Sequence, residues 1–154
     1  MRTLLLSLAF SILLVGCKDE PRAAATEAAP VERADVVAAK SKDAPIPEIT
    51  IEDADKAFQS GAIAVDANSD RTREKNGTVP GAIILSSSSK YDLAQLPEDK
   101  SKDLIFYCSN TNCSASDAAA ERASANGHKS IHVMREGIKG WKQAGKSTAT
   151  YPQS

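Results

Sequence analysis

Cys108 and Cys113 stand with four residues between them, where the apolar run Leu104-Ile105-Phe106-Tyr107 gives way to the polar stretch Ser109-Asn110-Thr111-Asn112. A thiol in this position is suited to nucleophilic chemistry. Only the thiolate attacks, and the backbone N–H groups of a loop, together with the amino end of a following helix, favour an anion there. The competing reading is a buried structural cysteine, since free cysteine is among the most buried residue types. Placement at the end of a strand favours chemistry at Cys108. Three cysteines and two histidines, His128 and His132, do not have the spacing of a zinc site, so no cofactor is expected, although the Cys108 and Cys113 pair retains some capacity for a soft metal.

The third cysteine, Cys17, belongs to a different context. Arg2 precedes an apolar run from Leu4 to Val15, shorter than the ~20 residues needed to span a bilayer as a helix. The run ends in Leu14-Val15-Gly16-Cys17, which resembles the bacterial lipobox, in which the cysteine thiol receives diacylglycerol. The expectation is a lipoprotein signal peptide over 1–16, lipidation at Cys17 and attachment to a membrane through the acyl chains. Lys18 stands where an inner-membrane retention signal more often places aspartate, so the lipobox rule implies the outer membrane, facing the periplasm. Residues 17–44 are rich in Ala, Glu, Lys, Arg, Val and Pro without bulky aromatics, the composition of a flexible tether. A formal net charge of -1 over 154 residues provides no field for nucleic acid, and no nucleic-acid partner is expected.

A single folded domain is expected over 45–154, within the usual size of one hydrophobic core. Thr50 and Asp53 have capping-box spacing ahead of an apolar face formed by Ala54, Ala57 and Phe58, with Gly61 as a stop. Ala62 to Val65 and Ile83 to Leu85 read as strands without polar alternation, so both their faces should be covered; Leu104 to Tyr107 is another continuous apolar run, and Ile131 to Met134 gives a fourth strand. Tyr91 to Leu96 reads as a helical turn ended by Pro97. Ser114 and Asp117 have the spacing of a second capping box, before an alanine-rich helix that stops ahead of Gly127, and Gly137 to Ala144 reads as a last helix anchored by Ile138 and Trp141. Strands alternating with helices define an α/β domain with a central parallel sheet flanked by helices on both faces, and Cys108 lies at a carboxyl end of that sheet, where such folds bind ligands.

Val65-Asp66, Val79-Pro80-Gly81-Ala82, Ile105-Phe106-Tyr107-Cys108 and Gly137-Ile138-Lys139-Gly140-Trp141 follow one another in the order and spacing of a rhodanese-like domain, and the resemblance covers roughly Ile49 to Gly145. It implies a sulfurtransferase in which Cys108 carries sulfur as a persulfide and the loop of Ser109, Asn110, Thr111, Asn112, Cys113 and Ser114 cradles its charge through backbone N–H groups. The implied partners are a sulfane-sulfur donor and a thiol or other nucleophilic acceptor. Cys113 has three readings: a resolving thiol that attacks a Cys108 persulfide and leaves a disulfide, a simple disulfide partner, or a small apolar residue at the helix base. A disulfide-forming, partner-binding or metal-binding thiol module without sulfur transfer is the alternative function.

Several positions depart from the family pattern. Ser109 and Cys113 stand where cations often hold an anionic donor, Asn68 where an arginine often follows the strand's aspartate, and Thr78 where histidine often precedes the Pro-Gly turn. Thiosulfate is therefore expected to be a poor donor. Ser114 occupies the place of the arginine that phosphatase relatives need. Asp66 is expected to bond loop N–H groups, His128 to be solvated in its turn, and Arg135 and Lys139, near the carboxyl end of the last strand, either to lend positive charge to the site or to be only solvated.

Overall fold

The structure, a computed structural model, describes residues 45–152. The expected signal peptide, tether and lipidated Cys17 lie outside the described residues. Thr50 caps the first helix, α1 (Ile51–Gln59), its hydroxyl accepting from the Asp53 N–H at 3.2 Å and donating to the Asp53 carboxylate at 3.0 Å. The order continues with β1 (Ile63–Asp66), α2 (Asp70–Asn76), β2 (Ile83–Ile84), a 3-10 turn at Leu93–Gln95, β3 (Asp103–Tyr107), α3 (Ala115–Ala125), β4 (Ser130–Met134) and α4 (Gly137–Gln143).

The strands form one parallel sheet in the order β2-β1-β3-β4. Successive side chains of a strand point to opposite faces, and β3 shows why its apolar run is unbroken. Leu104 and Phe106 join Val65, Ile131 and Val133 in one core, closed by Tyr91 and by Ala119, Ala120 and Ala123 of α3. Ile105 and Tyr107 face the other way, with Ala64 and Met134, against Ile51, Ala54, Ile138 and Trp141. The three buried alanines let the α3 backbone approach the sheet closely. Burying a side chain the size of Phe106 is worth about 1.5–3 kcal/mol, so β3 anchors both layers.

One helix was not anticipated and two expectations need correction. The α2 helix, Asp-Arg-Thr-Arg-Glu-Lys-Asn, has no apolar face and is held instead by Arg73, whose side chain turns inward and is buried. Ser114 makes no side-chain cap bond to α3; the Asp117 carboxylate accepts instead from Arg135 at 2.7 Å. His128 is buried, at 4 % exposure, with Nε2 3.0 Å from the Lys100 ammonium. Lys100 can only donate, so the imidazole accepts through Nε2 and is neutral.

Burial, with Lys100 adding to it, holds the His128 pKa below its ordinary value. The folded domain therefore takes up this proton at lower pH than the unfolded chain, and stability falls as pH drops from about 6.5 towards the folded-state pKa. Melting temperatures measured across that window should decline for the wild type, and His128→Gln should flatten the decline.

Candidate active site

β3 delivers Cys108 to the carboxyl edge of the sheet, where it is 4 % exposed, and the chain turns through Ser109–Ser114 into α3. Cys108 and Cys113 are joined by a disulfide, with their Cα atoms 6.2 Å apart. The turn that brings Cys113 back is closed by its own N–H, which donates to the Asn110 carbonyl at 3.1 Å, and by the Asn112 N–H, which donates to Asn110 Oδ1 at 3.2 Å. With the disulfide closed, those two N–H groups serve the turn rather than a bound anion. Cys113 is half-buried, while Thr111, Asn112 and Ser114 are exposed.

The first half of the loop rests on the amino end of α4. Ile138 N–H donates to the Cys108 carbonyl at 2.9 Å and Lys139 N–H to the Ser109 carbonyl at 3.1 Å. Gly137 permits this approach: its φ is +63°, and a Cβ there would meet the Cys108 carbonyl oxygen and come within 2.8 Å of the Asn110 nitrogen. Alanine at this position combines a left-handed backbone, costing about 1–3 kcal/mol, with a collision against the loop itself. Gly137→Ala should lower the melting temperature and slow any reaction at Cys108 relative to the wild type, measured by thermal denaturation and by the rate of thiol alkylation in the reduced protein.

A cleft of about 490 Å³ opens over the disulfide, lined by both cysteines, Ser109, the β1–α2 loop and the serines that follow β2. Arg73 in its wall makes ion pairs that the sequence alone did not reveal, one of them with the buried Asp66 behind it. Arg73 Nε donates to Asp66 Oδ1 at 3.1 Å, one terminal nitrogen to Asp70 Oδ1 at 2.9 Å, and the other to the carbonyls of Asp66 at 3.2 Å and Leu85 at 2.9 Å. Burial alone would lower the Arg73 pKa, but Asp66 first, with Asp70 and the Tyr151 hydroxyl, together outweigh it and keep the guanidinium charged. Asp66 also accepts the Asn68 N–H at 2.7 Å, which fits its expected architectural role. Tyr107 lies against the same carboxylate, and burial first, then Asp66, pushes its pKa well above the ordinary phenol value. Its hydroxyl accepts from the Val79 N–H at 3.0 Å, tying β3 to the Pro80-Gly81 turn.

Among the described residues, the one cationic side chain that lines the cleft, Arg73, is thus committed. Arg73 is engaged by Asp66, Asp70 and backbone carbonyls. Arg135 does not lend charge to the site, because it pairs with Glu48 at 3.0 Å and Asp117 at 2.7 Å. Lys139 reaches the loop through its backbone N–H, with its side chain exposed. Asn68, at 7 % exposure, lines the cleft with neither side-chain amide atom hydrogen-bonded. His132 pairs with Asp103 at 3.2 Å, a residue at the opposite, amino end of β3.

This parallel sheet, with a cysteine loop between β3 and α3 braced by α4, is the arrangement of the rhodanese-like domain, and the sequence matches that family over residues 50–144. The chain belongs to the rhodanese-like domain family. Among solved structures, it is similar to the polysulfide-sulfur transferase homodimer of Wolinella succinogenes, with a TM-score of 0.58 at 18% identity, covering 73% of this chain and 85% of the other. A rhodanese-related protein from Thermoplasma volcanium gives 0.54 at 21% identity, covering 66% and 95%. A Rhodopseudomonas palustris protein of unknown function, described as a possible tyrosine phosphatase, gives 0.54 at 25% identity, covering 67% and 84%. No curated protein matches the sequence.

Proposed function

We propose that the domain is a sulfurtransferase in which Cys108, once reduced, takes a sulfane sulfur as a persulfide and yields it to a thiol or another nucleophile. The observation that carries this reading is the position of Cys108: at the carboxyl end of β3, facing a cleft, in a loop fixed by two hydrogen bonds from α4. Family membership supports the same chemistry. The thiolate attacks the outer sulfur of a donor R–S–SH, the S–S bond breaks, and RS⁻ leaves with the electron pair and is protonated by solvent to RSH. An incoming thiolate then attacks the outer sulfur of the Cys108 persulfide and restores the Cys108 thiolate.

The cleft suits organic persulfides or polysulfides better than thiosulfate, since its one buried guanidinium is already paired and Ser109 and Asn68 are uncharged. A hydrogen bond to a charged group is worth ~1.5–3 kcal/mol, so the missing cation should lower kcat/KM for thiosulfate by about tenfold or more relative to an organic persulfide. Turnover of the reduced protein with each donor and a common acceptor tests this; equal or better use of thiosulfate would sink the donor assignment. We assign the protein to the periplasmic face of the outer membrane through a lipid on Cys17, a proposal that rests on the sequence alone.

The Cys108–Cys113 disulfide favours a second reading, a redox-sensitive thiol module that transfers no sulfur. Phosphate-ester chemistry has no such support, because the loop from Cys108 to Ser114 contains no arginine.

A further inference from the structure

We propose that this domain also releases its sulfur as sulfide, with Cys113 as the resolving thiol and a dithiol as the second substrate, so that it works as a sulfane-sulfur reductase. This inference rests on the persulfide reading above and adds the fate of the sulfur. The bond between Cys108 and Cys113 shows that the Asn110–Cys113 turn brings the Cys113 sulfur to the Cys108 sulfur without the loop leaving α4. That contact is also the geometry of attack on a charged Cys108. The Cys113 thiolate attacks Cys108 Sγ, the bond from Sγ to the outer sulfur breaks, and the outer sulfur leaves with the electron pair as hydrosulfide.

The reaction balances as protein dithiol plus R–S–SH giving protein disulfide, RSH and hydrogen sulfide. The two cysteines are oxidised and the sulfane sulfur is reduced. A dithiol, small or protein-borne, must then reduce the disulfide by exchange. Burial directs that step: Cys113 is half-buried and Cys108 is buried, so the reductant meets Cys113 first and Cys108 leaves as the thiolate, ready for the next donor.

The test uses the reduced protein freed of reductant, one equivalent of an organic persulfide such as glutathione persulfide, sulfide quantification and intact-mass measurement. The wild type should release one sulfide per chain and end two hydrogens lighter than its dithiol form. Cys113→Ser should retain the sulfur on Cys108, with sulfide at the background rate until a thiol is added. Adding dithiothreitol should let the wild type turn over repeatedly. A wild type that holds its persulfide as stably as Cys113→Ser, or equal sulfide release from both, overturns the reductase inference and leaves the sulfurtransferase reading intact. Failure of Cys113→Ser to gain any sulfur overturns both.

Discussion

Cys108→Ser is expected to eliminate sulfur acceptance entirely, with no residual charging from any donor. A hydroxyl in this loop does not ionise near neutral pH, and neither loop N–H groups nor the cleft can carry a sulfur without a thiolate to form the S–S bond. Cys113 lines the same cleft but does not substitute, because it lies in the turn beyond the segment that the bonds from Ile138 and Lys139 hold, and so lacks the fixed position of Cys108. The fold should survive. Loss of the short-loop disulfide removes about 2 kcal/mol on chain-entropy grounds, so the variant is compared with wild type under reducing conditions, where that contribution is absent from both. Equal melting temperatures with no sulfur uptake are the expected pair of results, read by thermal denaturation and intact mass.

Arg73→Met should have the largest effect on stability. Asp66 is fully buried and Arg73 nearly so, and the pair is held at 3.1 Å. Removing one partner of a buried ion pair leaves an uncompensated charge and costs about 3–5 kcal/mol. It also frees the carbonyls of Asp66 and Leu85, which accept from the same guanidinium. Against a total of about 5–15 kcal/mol for a typical domain, this brings the protein close to unfolding under ordinary conditions. Asp66→Asn in the Arg73→Met background should restore part of the loss, since no buried charge then remains unpaired. Chemical denaturation of the two variants checks both statements. An unchanged midpoint for Arg73→Met would show that the pair contributes nothing.

Arg73 also marks where sequence reading ended. β1 and β3 were legible because a strand covered on both faces needs apolar residues at successive positions, and Ala64-Val65 and Leu104 to Tyr107 supply them; in β4, Ile131 and Val133 supply one buried face. Cys108 could be placed because it directly follows such a run, and the Thr50 cap because its spacing from Asp53 is local. Arg73 sits in a wholly polar segment whose helix has no apolar stripe. Its inward turn depends on Asp66 and on the Leu85 carbonyl, twelve residues away, neither of which local periodicity reports. The family arginine is missing at Asn68, and the structure supplies a guanidinium to Asp66 from α2 instead. Ser114 and Asp117 show the reverse failure: the capping spacing is present, but a tertiary pair with Arg135 takes the carboxylate. His128 follows a glycine turn and reads as solvated, yet the return of α3 towards β4 buries it. For Cys113 the sequence left three readings open, because four intervening residues allow a disulfide without requiring one; the structure joins it to Cys108.

The claim that Cys108 carries sulfur is tested most directly by intact-mass measurement of reduced Cys113→Ser after brief exposure to an organic persulfide, with the modified peptide then identified. Cys113→Ser removes the resolving thiol, so a persulfide formed on Cys108 has no internal route to escape. The expected result is a gain of one sulfur atom located on Cys108 and removable by a small thiol. A protein that stays at its reduced mass, or that carries the sulfur elsewhere, contradicts the account.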